Sequence, residues 1–132
     1  MTTARYPEEP ASVSKARAFV ANALRDASGE VRDRAVLITS ELATNAIIHA
    51  HSSFTVTTTV TADEARVSVT DTGGEVPQPR RPDPSEAHGR GLLIMSTLAD
   101  RWGIEPGPGS TTVWFTLSLA ADRAAVSDAS AS

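Results

Sequence analysis

Two alternating segments joined by a short turn constrain the fold of this chain more than any other feature. Residues 54–60 and 65–71 each place apolar side chains at every second position, which is the pattern of a half-buried β-strand. Residues 62–64, Ala-Asp-Glu, lie between them and are predicted to form a hairpin turn. The sequence therefore predicts two consecutive strands, each with one face toward a core.

The second of these strands ends in an acidic residue on its apolar side. Ala65, Val67, Val69 and Asp71 share one face, because side chains alternate along a strand. A carboxylate is seldom placed on a packed face without a partner. Asp71 is therefore a candidate ligand group that could accept a hydrogen bond from an exocyclic amine, such as the 6-amino group of adenine.

Gly73 follows directly in the segment Asp-Thr-Gly-Gly and would let a base approach the backbone where a side chain would collide. The alternative is a plain turn at the end of a strand, since the same four residues are good turn formers.

Residues 30–49 contain no Gly or Pro and are predicted to form a helix, with apolar residues at helical spacing at Ala35, Ile38, Leu42 and Ala46. Glu41 and Asn45 lie four residues apart and thus on one side of this helix. An Asn oxygen suits Mg²⁺, and a carboxylate one turn away could accept the proton of an attacking hydroxyl. For this pair taken alone, two solvated helix residues are the alternative.

A third motif follows a proline-rich segment over residues 72–90, which is predicted to be a lid or disordered. Ahead of a helix predicted over 91–99, backbone N–H groups could hold phosphate oxygens at Gly89, Arg90, Gly91 and Leu92.

Thr111 opens the last predicted strand, 111–119, with its side chain on the packed face beside Asp71. Its hydroxyl would support the base directly or through water, the alternative being an ordinary β-branched strand residue.

The composition indicates a globular protein with a modest negative charge. Of 132 residues, 40% are hydrophobic and 21% charged, and the formal net charge of −4 argues against a nucleic-acid partner. There is no Cys, no signal-peptide pattern and no apolar run of the roughly 18 residues that span a bilayer. We expect a cytoplasmic protein without a membrane partner, with one domain over residues 1–120 and a disordered tail over 121–132.

Taken together, the three motifs resemble the ATP-binding domain shared by histidine kinases, gyrase and the bacterial anti-sigma factor serine/threonine kinases. Residues 41–50, Glu-Leu-Ala-Thr-Asn-Ala-Ile-Ile-His-Ala, are very similar to the corresponding box of the anti-sigma factor kinases. The likeness extends over nearly the whole chain and departs at Glu75, which stands where a D-x-G-x-G motif has its second glycine.

This resemblance implies an α+β fold, a two-layer α/β sandwich of the Bergerat ATP-binding type, with a mixed, mainly antiparallel sheet covered by helices on one face. It implies ATP and Mg²⁺ as cofactors, with Glu41 as the catalytic base and Asn45 as the Mg²⁺ ligand. Asp71 and Gly73 would lie at adenine, and the segment from Gly89 to Leu92 would lie at the phosphates.

The same resemblance implies a role in transcription. Such a protein binds a sigma factor and keeps it from RNA polymerase, and it phosphorylates an anti-anti-sigma protein of the STAS type on Ser or Thr. Family members commonly pair, so a homodimer is expected. The alternative function is a module that uses ATP only to set its shape and sequesters a partner without transferring phosphate.

Overall fold

The helices and strands follow the periodicity of the sequence over most of the chain. The computed structural model describes residues 1–72 and 87–119, with side chains described for 1–72 and 93–119. In chain order the elements are β1 (Thr2–Tyr6), α1 (Ala11–Ala23), α2 (Gly29–Ile48), β2 (Phe54–Val60), β3 (Glu64–Asp71), α3 (Ala87–Leu98), β4 (Arg101–Gly107) and β5 (Ser110–Ser118).

The described strands form one open sheet in the order β1-β2-β3-β5-β4, and all four neighbouring pairs are antiparallel. β2 and β3 form the predicted hairpin, which closes where the amide and the hydroxyl of Thr61 both donate to the carbonyl of Glu64. The expected α+β fold is confirmed. The described strands contain no parallel pair, whereas the resemblance implied a mixed sheet.

One face of the sheet, here called the inner face, is apolar and covered by the helices. Its buried side chains come from the three central strands and are Phe54, Val56, Ala65, Val67, Val69, Phe115 and Leu117. They form one core with buried helix residues such as Val20, Ile38, Leu42 and Met95. This burial confirms the alternation predicted for β2 and β3, and it places Asp71 on the inner face.

The opposite, outer face of the sheet is polar. It carries mostly Thr and Ser, together with Arg66, whose guanidinium lies 4.3 Å from the centre of the Trp114 ring. Facing Thr70 and Thr112 hydroxyls are hydrogen-bonded at 2.8 Å across β3 and β5. Such pairs satisfy polar groups on a face that no described helix covers.

α2 is the longest helix and carries the first motif. Ser28 caps its start, since the Ser28 Oγ accepts a hydrogen bond from the Val31 amide at 3.2 Å. The helix then runs for 20 residues, and one side of it is buried in the core. Glu41 and Asn45 lie beside that buried side and are each half-buried, because the helix turns 100° per residue.

Two elements depart from the sequence prediction. β1 was not predicted, because five residues with few apolar side chains give little periodic signal; it exists by pairing with β2, where the Thr2 and Thr58 hydroxyls lie 2.6 Å apart. α3 begins at Ala87 instead of Gly91, so the end of the predicted loop is helical. Packing of α3, whose Met95 is fully buried, outweighs the cost of about 1 kcal/mol that each Gly adds inside a helix.

Residues 73–86 and 120–132 lie outside the described part of the chain. Most of the predicted lid and the predicted tail fall there. Within the two described ranges, no helix has both the length and the apolar character needed to cross a membrane.

Candidate functional site

A row of five residues crosses the inner face at one end of the sheet. The registers pair Tyr6 with Phe54, Phe54 with Asp71, Asp71 with Thr111, and Thr111 with Pro106. Residues directly opposite each other in antiparallel strands lie on the same face with their Cβ atoms about 4.5–5.5 Å apart. We call this row the site row. It confirms that Thr111 lies beside Asp71.

The environment of this pair combines an apolar wall with two polar groups. Phe54 is 1% exposed and Thr111 is 4% exposed, while Asp71 is half-buried at the end of β3. Tyr6 packs against Phe54 with ring centres 5.6 Å apart, and burial raises the pKa of its phenol above 10.0. A carboxylate and a hydroxyl set side by side against aromatic side chains are suited to a flat ligand with hydrogen-bonding edges.

Asn45 on α2 carries an unusual polar atom. Its side-chain Oδ1 is buried, and it has no hydrogen-bond partner among the described residues. A buried carbonyl oxygen without a partner costs about 1–3 kcal/mol, so proteins rarely retain one without a use. A hard amide oxygen of this kind fits a Mg²⁺ ion, which takes few protein ligands beside phosphate oxygens and water.

The other candidate ion ligands are few. The described residues contain no group of three or more His, Asp or Glu side chains that could hold a metal ion. A Mg²⁺ ion at Asn45 would therefore take most of its ligands from phosphate oxygens and water instead of from protein side chains. Glu41 lies one turn before Asn45 on the same side of α2.

A buried serine connects the two sides of the site. Ser52 lies in the loop between α2 and β2, and its amide donates to the carbonyl of Ala46 at 3.2 Å. Its Oγ accepts a hydrogen bond from the Thr72 amide at 3.2 Å and donates one to the carbonyl of Ser53 at 2.7 Å. Sequence reasoning missed Ser52, because a single serine after a helix gives no signal until its contacts are known.

The same loop contains a residue with a left-handed backbone. His51 has φ 52°, which is uncommon for a residue with a side chain. Its Nδ1 lies 3.7 Å from a carboxylate oxygen of Glu8, and the His51 side chain is largely exposed while that of Glu8 is partly exposed. This turn brings the chain from the end of α2 into β2.

The third motif has a different backbone from the one predicted. Gly89, Arg90, Gly91 and Leu92 lie within the first two turns of α3, not ahead of the helix. The first four amides of a helix, counted from the residue that caps it, lack partners inside it, so the Gly89 amide falls among them, whereas Arg90, Gly91 and Leu92 fall where intrahelical hydrogen bonding begins. α3 packs against α2, the helix that carries Glu41 and Asn45. Gly73 lies outside the described residues.

Comparison with known proteins identifies the family of this chain. Residues 6–117 match the family model of the histidine kinase-like ATPase domain. The chain belongs to this family. Most of the residues set out above, from Tyr6 to Thr111, lie within the matched range, and the expected membership of this superfamily is confirmed. No curated protein sequence matches the chain.

Solved structures share the fold. One contains the RsbU and RsbW domains of Rv1364c from Mycobacterium tuberculosis, with a TM-score of 0.69 at 20% identity over 90% of this chain and 33% of that one. Another is the histidine kinase domain of the blue-light activated histidine kinase from Erythrobacter litoralis EL346, with a TM-score of 0.58 at 25% identity over 75% of this chain and 49% of that one.

A third is the catalytic domain of the histidine kinase ThkA, with a TM-score of 0.52 at 14% identity over 90% of this chain and 97% of that one. The chain thus spans a third of the first structure and about half of the second. The family and the fold support an ATP-dependent kinase or ATPase as the general class of this protein.

Proposed function

We propose that this protein binds ATP with Mg²⁺ and phosphorylates a Ser or Thr residue of an anti-anti-sigma protein of the STAS type. In this role it is an anti-sigma factor that sequesters a sigma factor and thereby regulates transcription. The observation that carries the proposal is the buried Oδ1 of Asn45, which has no hydrogen-bond partner among the described residues and lies one turn from Glu41, in a chain of the histidine kinase-like ATPase family.

Adenine is assigned to the site row. The carboxylate of Asp71 accepts a hydrogen bond from the 6-amino group, and the Thr111 hydroxyl supports the same edge directly or through water. Gly73 leaves the backbone open to the base. Guanine presents a carbonyl in place of the amino group, so this arrangement selects ATP over GTP.

The phosphates are assigned to the space between α2 and α3. Asn45 is the Mg²⁺ ligand, and the start of α3 offers the amide of Gly89, with Arg90 next to it, at the positive end of the helix dipole. Gly91 and Leu92 continue the same helix beyond this donor. When bound, MgATP supplies the terminal phosphoryl group and the charge neutralisation that its transfer needs.

Glu41 is the catalytic base. Its carboxylate accepts the proton of the Ser or Thr hydroxyl as the hydroxyl oxygen forms its bond to phosphorus and ADP leaves. A half-buried carboxylate on the open side of α2 can meet a hydroxyl brought by a partner protein. The chain's own contribution is to hold the nucleotide, orient the hydroxyl and take its proton.

The partner assignment has two supports. Residues 41–50 resemble the box of anti-sigma factor kinases, and one structure with the same fold contains an RsbW domain. We further propose that the protein is cytoplasmic and forms a homodimer, and that its net charge of −4 disfavours nucleic-acid binding. Light scattering tests the dimer, and a monomer at micromolar concentration would contradict it.

A second function is favoured by Glu75. Replacement of the second glycine of a D-x-G-x-G motif restricts the backbone beside the base. An ATP-dependent module that sequesters its partner without phosphate transfer would tolerate this restriction better than a kinase would.

Calorimetry of MgATP binding tests the proposal. We expect Asn45→Ala and Asp71→Asn to weaken binding, whereas the matched variants Asn22→Ala on α1 and Asp63→Asn in the hairpin turn leave it unchanged. The second step measures transfer of labelled phosphate from ATP to a panel of purified STAS-domain proteins. Binding with transfer supports the kinase, binding without transfer supports the sequestration module, and no binding by the wild type overturns both.

A further inference from the structure

Ser52 belongs to none of the three motifs, yet it touches the chain on both sides of the site. It is a buried polar residue, 7% exposed, in a loop whose other residues are exposed or partly exposed. Its amide and its hydroxyl together make three hydrogen bonds, to Ala46, Ser53 and Thr72. The backbone amide of Ser52 thus holds the end of α2 and its hydroxyl holds Thr72, so this one residue links the two segments.

The two distant partners of Ser52 adjoin the residues assigned to the ligand. Ala46 follows Asn45 on α2, and Thr72 follows Asp71 at the end of β3. The Thr72 amide lies just beyond the last residue of β3, and it donates a hydrogen bond to the Ser52 hydroxyl. Without that acceptor, the backbone just beyond β3 loses its hydrogen bond to the loop that follows α2.

The direction of the Asp71 carboxylate depends on this connection. A hydrogen bond weakens steeply as its angle and distance depart from their optimum. A shift of the backbone at Thr72 moves the carboxylate of the preceding residue relative to Thr111, its neighbour in the site row. Such a shift would therefore weaken the hydrogen bond from Asp71 to the base more than it would weaken the contacts to the phosphates.

We infer that Ser52 is a positioning residue that holds the Asp71–Thr72 segment against the end of α2, and thereby sets the preference of the site for a base with a 6-amino group. This inference rests on the proposed function, which assigns Asp71 to adenine. Ser52 itself touches no ligand in this scheme. It acts through Thr72, to which it is bound.

The test compares the affinity of the full chain for MgATP and MgITP by calorimetry. ITP differs from ATP in carrying a carbonyl where ATP has the 6-amino group, so the ratio of the two affinities reports on the contact to Asp71. The variants are Ser52→Ala, the nearly isosteric Ser52→Cys, and Ser53→Ala as the matched control. The Ser53 hydroxyl accepts a hydrogen bond from the Arg5 guanidinium at 3.3 Å and does not contact Thr72.

We expect Ser52→Ala to lower the preference for ATP over ITP about three- to tenfold, the effect of one net hydrogen bond. Ser52→Cys lowers this preference less, since its sulfur can still accept a hydrogen bond, although weakly. If Ser52→Ala does not fold, the Ser52→Cys variant alone provides the test. Ser53→Ala leaves the ratio of ATP to ITP affinity within about twofold of the wild-type value, a smaller change than the loss of one net hydrogen bond causes.

A merely structural role predicts a different result. In that case the thermal midpoint without nucleotide falls and both affinities fall together, so the ratio stays constant and the inference is overturned. If the wild type itself shows no preference for ATP over ITP, the assignment of Asp71 to adenine is wrong, and the inference is wrong with it. A wild-type preference that survives in both Ser52 variants overturns the inference alone.

Discussion

The two ends of the sheet differ in how they treat polar groups. At the end with the site row, polar atoms are buried or half-buried on the inner face, as at Asp71, Thr111 and the Oδ1 of Asn45. At the hairpin end, where β2 turns into β3, the inner face is closed by apolar side chains such as Leu24 and Leu119, which are 1% and 8% exposed.

The polar groups of the hairpin end form hydrogen bonds with one another and with the adjoining segment after β5. Thr61 Oγ1 accepts from the amides of Asp63 and Glu64, and the Leu119 amide donates to the Asp63 carbonyl. A pocket at this end is lined mainly by apolar residues of the turn after α1, the end of β2 with the hairpin turn, and the segment after β5. The hairpin end thus contributes mainly to stability, while the end with the site row places polar groups on the packed face, among them the Asn45 Oδ1, which has no hydrogen-bond partner in the described part of the chain.

The largest expected effect separates chemistry from binding at the site end. Glu41→Gln should lower phosphate transfer by about 10²–10⁴-fold, the usual contribution of a general base, with little change in ATP affinity. Single-turnover transfer of labelled phosphate to a STAS-domain protein measures it. Glu30→Gln, on the first turn of the same helix, is the control, and undiminished transfer in Glu41→Gln would remove the assigned base.

The next effect belongs to the hairpin end. Leu24→Ala should lower the free energy of unfolding by about 2–5 kcal/mol, because it leaves a cavity in the core. Urea unfolding measures this loss, and calorimetry below the unfolding transition should give an unchanged ATP affinity. A large change in affinity of the folded protein would show that the two ends are coupled.

A smaller effect returns to the site row. Thr111→Val keeps the shape of the side chain but removes its hydroxyl, so ATP affinity should fall about three- to tenfold, as for one net hydrogen bond. Calorimetry compares it with Thr57→Val on the outer face. Equal affinity in wild type and Thr111→Val would leave the residue an ordinary strand threonine.

His51→Gly should stabilise the folded protein by up to about 1 kcal/mol, because Gly adopts a positive φ without the steric cost borne by other residues. Ala50→Gly, one residue earlier, should instead destabilise it by roughly 0.5–1 kcal/mol through backbone entropy. Urea unfolding of both variants decides the matter, and a loss of stability in His51→Gly would mean that its side chain contributes more than its backbone costs.

The smallest effect concerns pH. Burial raises the pKa of Tyr6 above 10.0, so the folded state favours the neutral phenol. This contribution is fully present below the pKa of the unfolded chain and is lost as the pH rises through the folded pKa. Tyr6→Phe should therefore show a flatter decline of stability above about pH 10. Urea unfolding between pH 8 and 11 compares the two, and identical slopes would contradict the prediction.

The sequence prediction worked where the signal was local. The period of α2 and the alternation of β2 and β3 are properties of neighbouring residues, and the structure confirms both helix and hairpin. The prediction failed at α3, where Gly89 and Gly91 have weak helix propensity and packing of residues such as Met95 decides the outcome. β1 was also not predicted, because an edge strand of five residues forms only by pairing with its neighbour β2.

By itself, the sequence determined which face of each main element is buried. A period of two or 3.6 residues is written into adjacent positions, and that is enough to put Asp71 on the inner face and Glu41 with Asn45 on one side of α2. The three motifs, read in order, were also enough to indicate the family.

Only the tertiary structure decided which of these groups meet. Thr111 faces Asp71 because β5 pairs with β3, two strands with α3 and β4 between them in the chain. Ser52 reaches Thr72 across 20 residues of sequence, and the Asn45 oxygen is left without a described partner by the packing around α2. Such contacts are set by how the elements pack, and no local pattern records which distant residue lies opposite.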